Sequence, residues 1–321
     1  MTKTQLLTRP PAVDSGDAIV ARGLRRTYGS ARRFPGASAP APFEAVRGID
    51  LTVRRGEVFA LLGTNGAGKT STVELIEGLA RPSGGSVQVL GHDPVAARNR
   101  VRHRTGVVLQ SSGFPPALTV REIARMWHGT LSRPLPVDEV LAAVELTGRA
   151  AVESAKLSGG ERRRLDIALA VMGQPEVLIL DEPTTGLDPE SRRNIWTLIE
   201  SLVQRGTSLL LTTHYLEEAE RLADRIAIMH AGLIAREGTL AEIVADAPAR
   251  ISFARPATLA LPDLDAPGAR IVAADEVTIE TPALQDTLRR VLDWAGPTEL
   301  VGLDARSATL EQVFLAIADN R

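Results

Sequence analysis

Short apolar blocks recur along the chain, each four to six residues long, and polar or amphipathic stretches separate them. Ile19–Leu24 and Ile49–Val53 alternate as half-buried strands do. Val58–Leu62, Val177–Leu180 and Ser208–Thr212 are nearly continuous apolar runs, the pattern of strands covered on both faces. Val87–Leu90, Gly106–Leu109 and Ile226–Met229 predict further strands. Between them the pattern changes to a helical period at Ser71–Leu79, Thr119–Leu131, Val137–Leu146, Gly159–Met172, Ser191–Gln204 and Leu216–Ala223. Pro134 and Pro136 break the chain inside this series, and Gly173 and Pro175 stop one of its helices. Strands separated by helices predict an α/β fold on a largely parallel sheet.

Three segments stand apart from this rhythm. Residues 1–17, with Pro10-Pro11, predict a flexible tail. Gly29–Pro42, rich in Ala, Pro, Ser and Arg, predicts a long loop. After about Leu240 the elements become short: strands at Ile251–Phe253, Ile271–Ala273, Val277–Ile279 and Leu300–Leu303, and helices at Leu284–Trp294 and Thr309–Ala318. In the last helix Leu310, Val313, Phe314 and Ile317 form one apolar stripe. A small α+β domain follows, with a junction expected at Asp246–Arg250. No internal repeat is visible.

Composition narrows the function classes. No apolar run approaches the roughly 20 residues that cross a bilayer, and the N-terminus has too short an apolar core for a secretory signal. Those features, with no cysteine in the chain, predict a cytoplasmic protein without disulfides. Lys+Arg 37 against Asp+Glu 39 gives no net pull toward nucleic acid, and 3% aromatics leave little for base stacking. The histidines His92, His103, His128 and His230 show no metal-ligand spacing. Arg162–Arg164 reads as the solvated face of a helix rather than a nucleic-acid contact.

The chemistry is concentrated in a few motifs. Gly63-Thr64-Asn65-Gly66-Ala67-Gly68-Lys69-Thr70, followed by Ser71, matches a phosphate loop between a buried strand and a helix. Its glycines let successive amides turn inward on an anion, and Lys69 is one of only three lysines in the chain. Lys69 is expected on the β- and γ-phosphates, with the Thr70 hydroxyl on Mg²⁺. Asp181-Glu182 ends a buried strand at a sheet edge. Asp181 is expected to hold the cation's water shell, and Glu182 to act as general base on the attacking water. Leu157-Ser158-Gly159-Gly160-Glu161 opens a helix with a capping box, and any helix can begin that way. Two glycines in the first turn weaken a helix, however, and bare amides at a helix start suit a phosphate.

These residues, in this order, resemble the nucleotide-binding subunit of an ABC transporter, from about Ile19 to about Thr239. The resemblance implies a P-loop NTPase ABC cassette: a mainly parallel sheet core, an antiparallel β subdomain and a helical subdomain at about 112–165. An ATPase domain over 18–240 would then precede the accessory domain at 241–321. It also implies that Leu157–Glu161, usually ending in Gln, binds the γ-phosphate of an ATP held by a second subunit. Tyr28 would stack on adenine. Gln110 would lie between the Mg²⁺ site and the membrane subunit. Asp188, in Gly186-Leu-Asp188-Pro, would cross the dimer interface, and His214 would sense the γ-phosphate.

The implied activity is ATP hydrolysis by a homodimer or heterodimer, on the inner face of the membrane, coupled to a separate permease. The spacing Arg162-Arg-Arg-Leu-Asp-Ile-Ala and the ending Thr309-Leu-Glu-Gln-Val-Phe-Leu resemble bacterial drug-export ATPases of the daunorubicin-resistance type. Polysaccharide or lipid export is the alternative within that group. A soluble ABC ATPase acting on DNA or ribosomes is the alternative outside it. Neither the long coiled coil of the DNA-repair members nor the paired cassettes of the ribosome-acting members is present in this sequence.

Overall fold

Apolar runs become buried strands wherever both faces of the strand have something to cover them. The computed structural model describes residues 16–29, 42–110, 113–257 and 270–319. The expected tail at 1–17 and loop at Gly29–Pro42 lie almost wholly outside these residues. The chain divides into two compact units, Met1–Glu237 and Gly238–Arg321.

In chain order the first unit carries β1 (Ile19–Tyr28), β2 (Phe43–Val53), β3 (Val58–Gly63), α1 (Lys69–Ile76), β4 (Gly84–Val89), α2 (Arg98–Val101) and β5 (Thr105–Val108). Then come α3 (Val120–His128), α4 (Val137–Ala143), α5 (Gly159–Met172), β6 (Val177–Asp181), α6 (Pro189–Val203), β7 (Ser208–Thr213), α7 (Leu216–Leu222), β8 (Arg225–His230) and β9 (Leu233–Gly238). A six-stranded sheet has the order β5-β6-β7-β3-β8-β9, and a three-stranded antiparallel sheet has the order β2-β1-β4. The ladders β5·β6, β6·β7, β3·β7 and β3·β8 are all parallel.

Every residue of β3, β6 and β7 is buried. Alternate side chains feed opposite cores, as the period of two requires. Leu178, Leu180, Leu209 and Leu211 join a cluster with Val120, Ile123, Leu141, Leu165, Ile195 and Trp196 from the helices. Val177, Ile179, Leu210, Phe59 and Leu61 join the other, with Ile19, Leu24, Val46, Leu51, Val73 and Ile76. Each such side chain contributes about 1.5–3 kcal/mol of burial, so a polar residue in any of these strands would be costly. The parallel sheet therefore has both faces covered, and its strand ends are left to carry loops.

The second unit contains α8 (Leu240–Val244), β10 (Ala249–Ala254), β11 (Arg270–Ala273), β12 (Glu276–Thr281), α9 (Leu284–Ala295), β13 (Asp304–Arg306) and α10 (Leu310–Asp319). Its sheet has the order β11-β12-β10-β13. Ile251, Phe253, Val277, Ile279, Val291 and Ala295 form its core. On α10, Leu310 and Val313 are buried while Phe314 and Ile317 are half-buried.

Two expectations are corrected here, and two elements were not anticipated. The strand expected at Leu300–Leu303 is a turn: Leu300 anchors the small core, Gly302 takes φ +68, and the strand begins at Asp304 beside β10. Asp246–Arg250 is not a junction, because Ala249 and Arg250 already pair in β10 and the division falls after Glu237. Strand β9 is a missed element, its alternation hidden by Arg236 and Glu237. Helix α8 is a second, short but marked by a Thr239–Glu242 capping box.

Candidate functional site

The parallel strands deliver the predicted residues to one edge of the sheet, where strand ends open into loops. After β3 the chain passes through Gly63–Gly68 into α1. Gly68 is the N-cap at φ +106, and no side chain caps the helix, so its first amides stay available for an anion. A Cβ on Gly68 would lie 2.3 Å from the Ala45 carbonyl oxygen, and one on Gly63 would lie 2.5 Å from that of Met229. Those two glycines are packing requirements. Gly66, at φ +81 with open space around it, is a conformational one. Thr64 is half-buried and Asn65 exposed; Ala67 is buried.

Lys69 is buried, and its Nζ donates to the carbonyl oxygens of Gly63 at 2.7 Å and Thr64 at 3.3 Å. Burial pulls its pKa below the usual lysine value, against the opposing pull of Glu182 and Asp181. Thr70 is exposed and Ser71 half-buried in the first turn of α1. Ser71 shares a 3.1 Å hydrogen bond with the Tyr28 hydroxyl, which also donates to Glu74 at 3.2 Å. The Tyr28 ring lies under Arg26, 4.8 Å from the guanidinium carbon. The aromatic expected at adenine thus stands against the phosphate-loop helix.

Asp181 closes β6, buried, and accepts a hydrogen bond from the Thr212 hydroxyl on β7. Glu182 follows at φ +47, in the left-handed region that few residues with a side chain adopt. Its backbone amide donates to the Thr212 carbonyl at 3.0 Å. Three side chains surround its carboxylate. Gln110 donates through Nε2 at 3.0 Å, and the Thr185 hydroxyl donates at 3.2 Å. His214, just past β7, has its Nδ1 3.2 Å from Oε1, at ion-pair distance but without hydrogen-bond alignment. Lys69, Gln110, Asp181, Glu182 and His214 therefore converge from the ends of β3, β5, β6 and β7.

A divalent cation of the magnesium type fits this donor set. It favours hard oxygens and keeps several waters, so one carboxylate, one hydroxyl and one amide oxygen suffice beside the phosphates. Asp181 and Thr70 supply the first two, and Gln110 retains its amide oxygen after donating through nitrogen. Among the described residues no group of three His, Cys, Asp or Glu could hold a metal alone.

The Leu157–Glu161 segment is organised differently. Ser158 caps α5: its hydroxyl accepts from the Glu161 amide at 3.2 Å, and Glu161 accepts from the Ser158 amide at 2.9 Å. Arg149 pairs with the other oxygen of Glu161. Burial raises the Glu161 pKa, but its bonds to Ser158 and Arg149 together hold it below the usual range. The extra negative charge is thus already matched within the chain. Gly159 is exposed, and a Cβ there would meet only Leu187 at 3.5 Å. Gly160 is buried, and its Cβ would come within 2.4 Å of the Ser191 hydroxyl. One of the two glycines therefore has a packing reason to be small, set by Ser191. Leu157 is buried behind them. Asp188 caps α6, accepting from the amides of Ser191 at 2.9 Å and Glu190 at 3.1 Å, which hold its pKa down. Among the described residues no hydrogen bond or ion pair joins Leu157–Glu161 to the phosphate loop.

Two residues beside the site were missed. Arg163, taken with its neighbours as a solvated face, is buried and donates to three backbone carbonyls. Placing it one turn after the buried Gly160 would have pointed it inward. Glu218 on α7 is wholly buried and accepts from the Thr184 hydroxyl at 2.9 Å and the Trp196 indole at 3.1 Å. Burial raises its pKa. A carboxylate among apolar helix positions was its only signal.

Residues 46–185 match the family model described as ABC transporter, and 249–309 match the C-terminal domain of ABC transporter domain-containing protein-like proteins. The chain is 38% identical to a daunorubicin resistance ATP-binding protein of Streptomyces coeruleorubidus, over 93% of this chain and 95% of that one. It is 42% identical to a Nod factor export ATP-binding protein of Burkholderia lata, over 60% of this chain and 65% of that one. A solved structure of the ATP binding subunit of an ABC transporter aligns with TM-score 0.60 at 27% identity, covering 70% of this chain and 91% of that one.

Proposed function

Since the chain belongs to the ABC transporter ATP-binding family and is an ATPase, the ATP-binding subunit of a transporter, we propose that it powers export of drug-like compounds through a separate permease. The observation that carries the reading is the convergence of Lys69, Gln110, Asp181, Glu182 and His214 at one sheet edge. Residues 18–240 would be the ATPase cassette, with its helical subdomain at about 112–165, and 241–321 an accessory domain. No helix among the described residues is long and apolar enough to cross a membrane. A permease in another chain would supply the path, with this subunit docked on the membrane's inner face.

In this reading the Gly63–Thr70 amides and Lys69 hold the phosphates, Ser71 extends the cradle, and Tyr28 abuts the base. Thr70, Gln110 and Asp181 would hold Mg²⁺, which supplies charge neutralisation on the transferring phosphoryl group. Glu182 takes the proton of the attacking water, with Gln110 and Thr185 fixing its carboxylate and His214 reaching the γ-phosphate. Leu157, Ser158, Gly159, Gly160 and Glu161 present amides to the nucleotide of a second copy, with Asp188 at the same interface. Two copies, or one with a related partner, would close on two ATPs. The daunorubicin resistance relative supports drug efflux. The Nod factor export relative supports a second cargo class on the same machinery.

The test is complementation between copies. Lys69→Ala should disable the cradle and Ser158→Arg the Leu157–Glu161 segment, so each homodimer should be inactive. Mixed dimers should regain one working composite site and a fraction of wild-type hydrolysis. Mixtures as inactive as either parent would rule out the shared site.

A further inference from the structure

Glu182 occupies a strained backbone conformation at φ +47, and such strain persists only where surrounding bonds over-determine it. Thr212 and Thr185 hold the Glu182 backbone itself, and one guanidinium holds the carbonyls of the residues on either side of it. Arg163 lies on α5, five positions beyond Ser158. Its Nε donates to the Pro183 carbonyl at 2.7 Å, and its Nη2 to the Asp181 carbonyl at 2.9 Å. The carbonyls of the residues on both sides of Glu182 thus accept from the same planar group. Its Nη1 donates to the Leu109 carbonyl at 2.5 Å, directly before Gln110. The side chain is 8% exposed, and the nearest carboxylate, Asp166 on the same helix, stands 3.9 Å away.

We propose that Arg163 is a positioning residue, which locks the left-handed turn at Glu182 and ties it, with the Gln110 strand end, to the helix that begins at the Leu157–Glu161 segment. Glycine-free strain at the base, three converging carbonyls and a buried cation have one economical explanation: a fork that cannot rotate away. Its acceptors are neutral carbonyls, so the base carboxylate keeps its own partners, Gln110 and Thr185. Any tilt of α5 then moves the base and Gln110 with it. Closure of a second copy on Ser158 and Gly159 would be felt at Glu182 through one side chain. The proposal rests on Glu182 being the base.

Lysine cannot replace this group, since a single ammonium does not span three carbonyls in a plane. Steady-state ATP hydrolysis, fluorescent ATP-analogue binding and thermal melting are compared for wild type, Arg163→Lys, Arg163→Met and Glu182→Gln. Turnover is scored per bound analogue, so partial unfolding does not mimic the effect. Arg163→Lys is expected to keep analogue affinity within about twofold and KM nearly unchanged while kcat falls about tenfold or more, the scale of a misplaced reacting group. Arg163→Met should fall further. Wild-type turnover in Arg163→Lys beside an inactive Glu182→Gln would overturn the clamp alone. So would losses of affinity and melting temperature that match the loss in kcat. Normal turnover in Glu182→Gln would instead remove the base assignment, and the clamp with it.

Discussion

The phosphate loop with its carboxylates and the Leu157–Glu161 segment both offer helix N-termini, yet they are finished to different degrees. In the first, Lys69, Asp181 and Glu182 each meet a partner: Lys69 the carbonyls of its own loop, Asp181 the β7 hydroxyl, Glu182 the Gln110 and Thr185 side chains. In the second, Ser158 and Glu161 satisfy each other, Arg149 neutralises the remainder, and Gly159 is left exposed with room above it. The first is the half that the proposed mechanism makes reactive, gathered from the ends of several strands. The second is a locally complete helix tip that can meet something only from outside. In the proposed dimer the two would be complementary half-sites.

The largest expected effect breaks the reactive half. Glu182→Gln preserves shape and the Gln110 contact region but removes the base, so turnover should fall about a hundredfold or more while analogue binding survives. Undiminished hydrolysis would place the base elsewhere. The two glycines separate packing from presentation. Gly160→Ala drives a Cβ into Ser191 and should destabilise the fold by about 1–3 kcal/mol. A concurrent Ser191→Gly should restore the melting temperature. Gly159→Ala meets only ordinary contact at 3.5 Å and should melt like wild type, yet lose turnover because its exposed amide becomes hindered. If Gly159→Ala is fully active, the outward tip is a cap and nothing more.

A smaller effect sharpens the same point through an internal control. Thr119–Glu122 and Ser158–Glu161 form the same capping box on different helices. Thr119→Ala and Ser158→Ala should each cost about 1 kcal/mol. Only Ser158→Ala should also slow hydrolysis per folded molecule, measured at a temperature where both are native. Equal activity in the two would reduce Ser158 to its structural part.

How much of this was legible in the sequence depends on whether the signal is local. The runs that form β3, β6 and β7 were plain because both faces are covered, and α5 was found with its bounds at Gly159 and Met172 because caps mark both ends. The loop glycines and the Asp181-Glu182 pair were legible as chemistry, since their neighbours in sequence set their geometry. Arg163 was not, because a run of three arginines does not say which one turns inward until the helix has a phase. Gly160 was half legible: its smallness shows, but the Ser191 that demands it comes from α6, thirty-one positions on. Leu300–Leu303 misled for the same reason, one apolar anchor in a turn resembling a strand of four.

Glu77, at the C-terminal end of α1, gives the smallest and most specific test of the reactive half. One of its carboxylate oxygens is buried without a partner, and desolvation, then repulsion from Asp181 and Glu74, raises its pKa to about 7. An unfolded glutamate titrates near 4.5. Between those values the folded chain holds more protons than the unfolded one, so stability falls as pH rises. The contribution is complete below about 4.5 and gone once pH has passed through 7. Partial exposure keeps it small. Glu77→Gln removes the charge but not the shape. In nucleotide-free protein it should match wild type at pH 5 and melt about 2 °C higher at pH 8. An equal gain at both pH values would mean that the carboxylate is not strained by its place beside Asp181, and that this site tolerates negative charge better than its geometry implies.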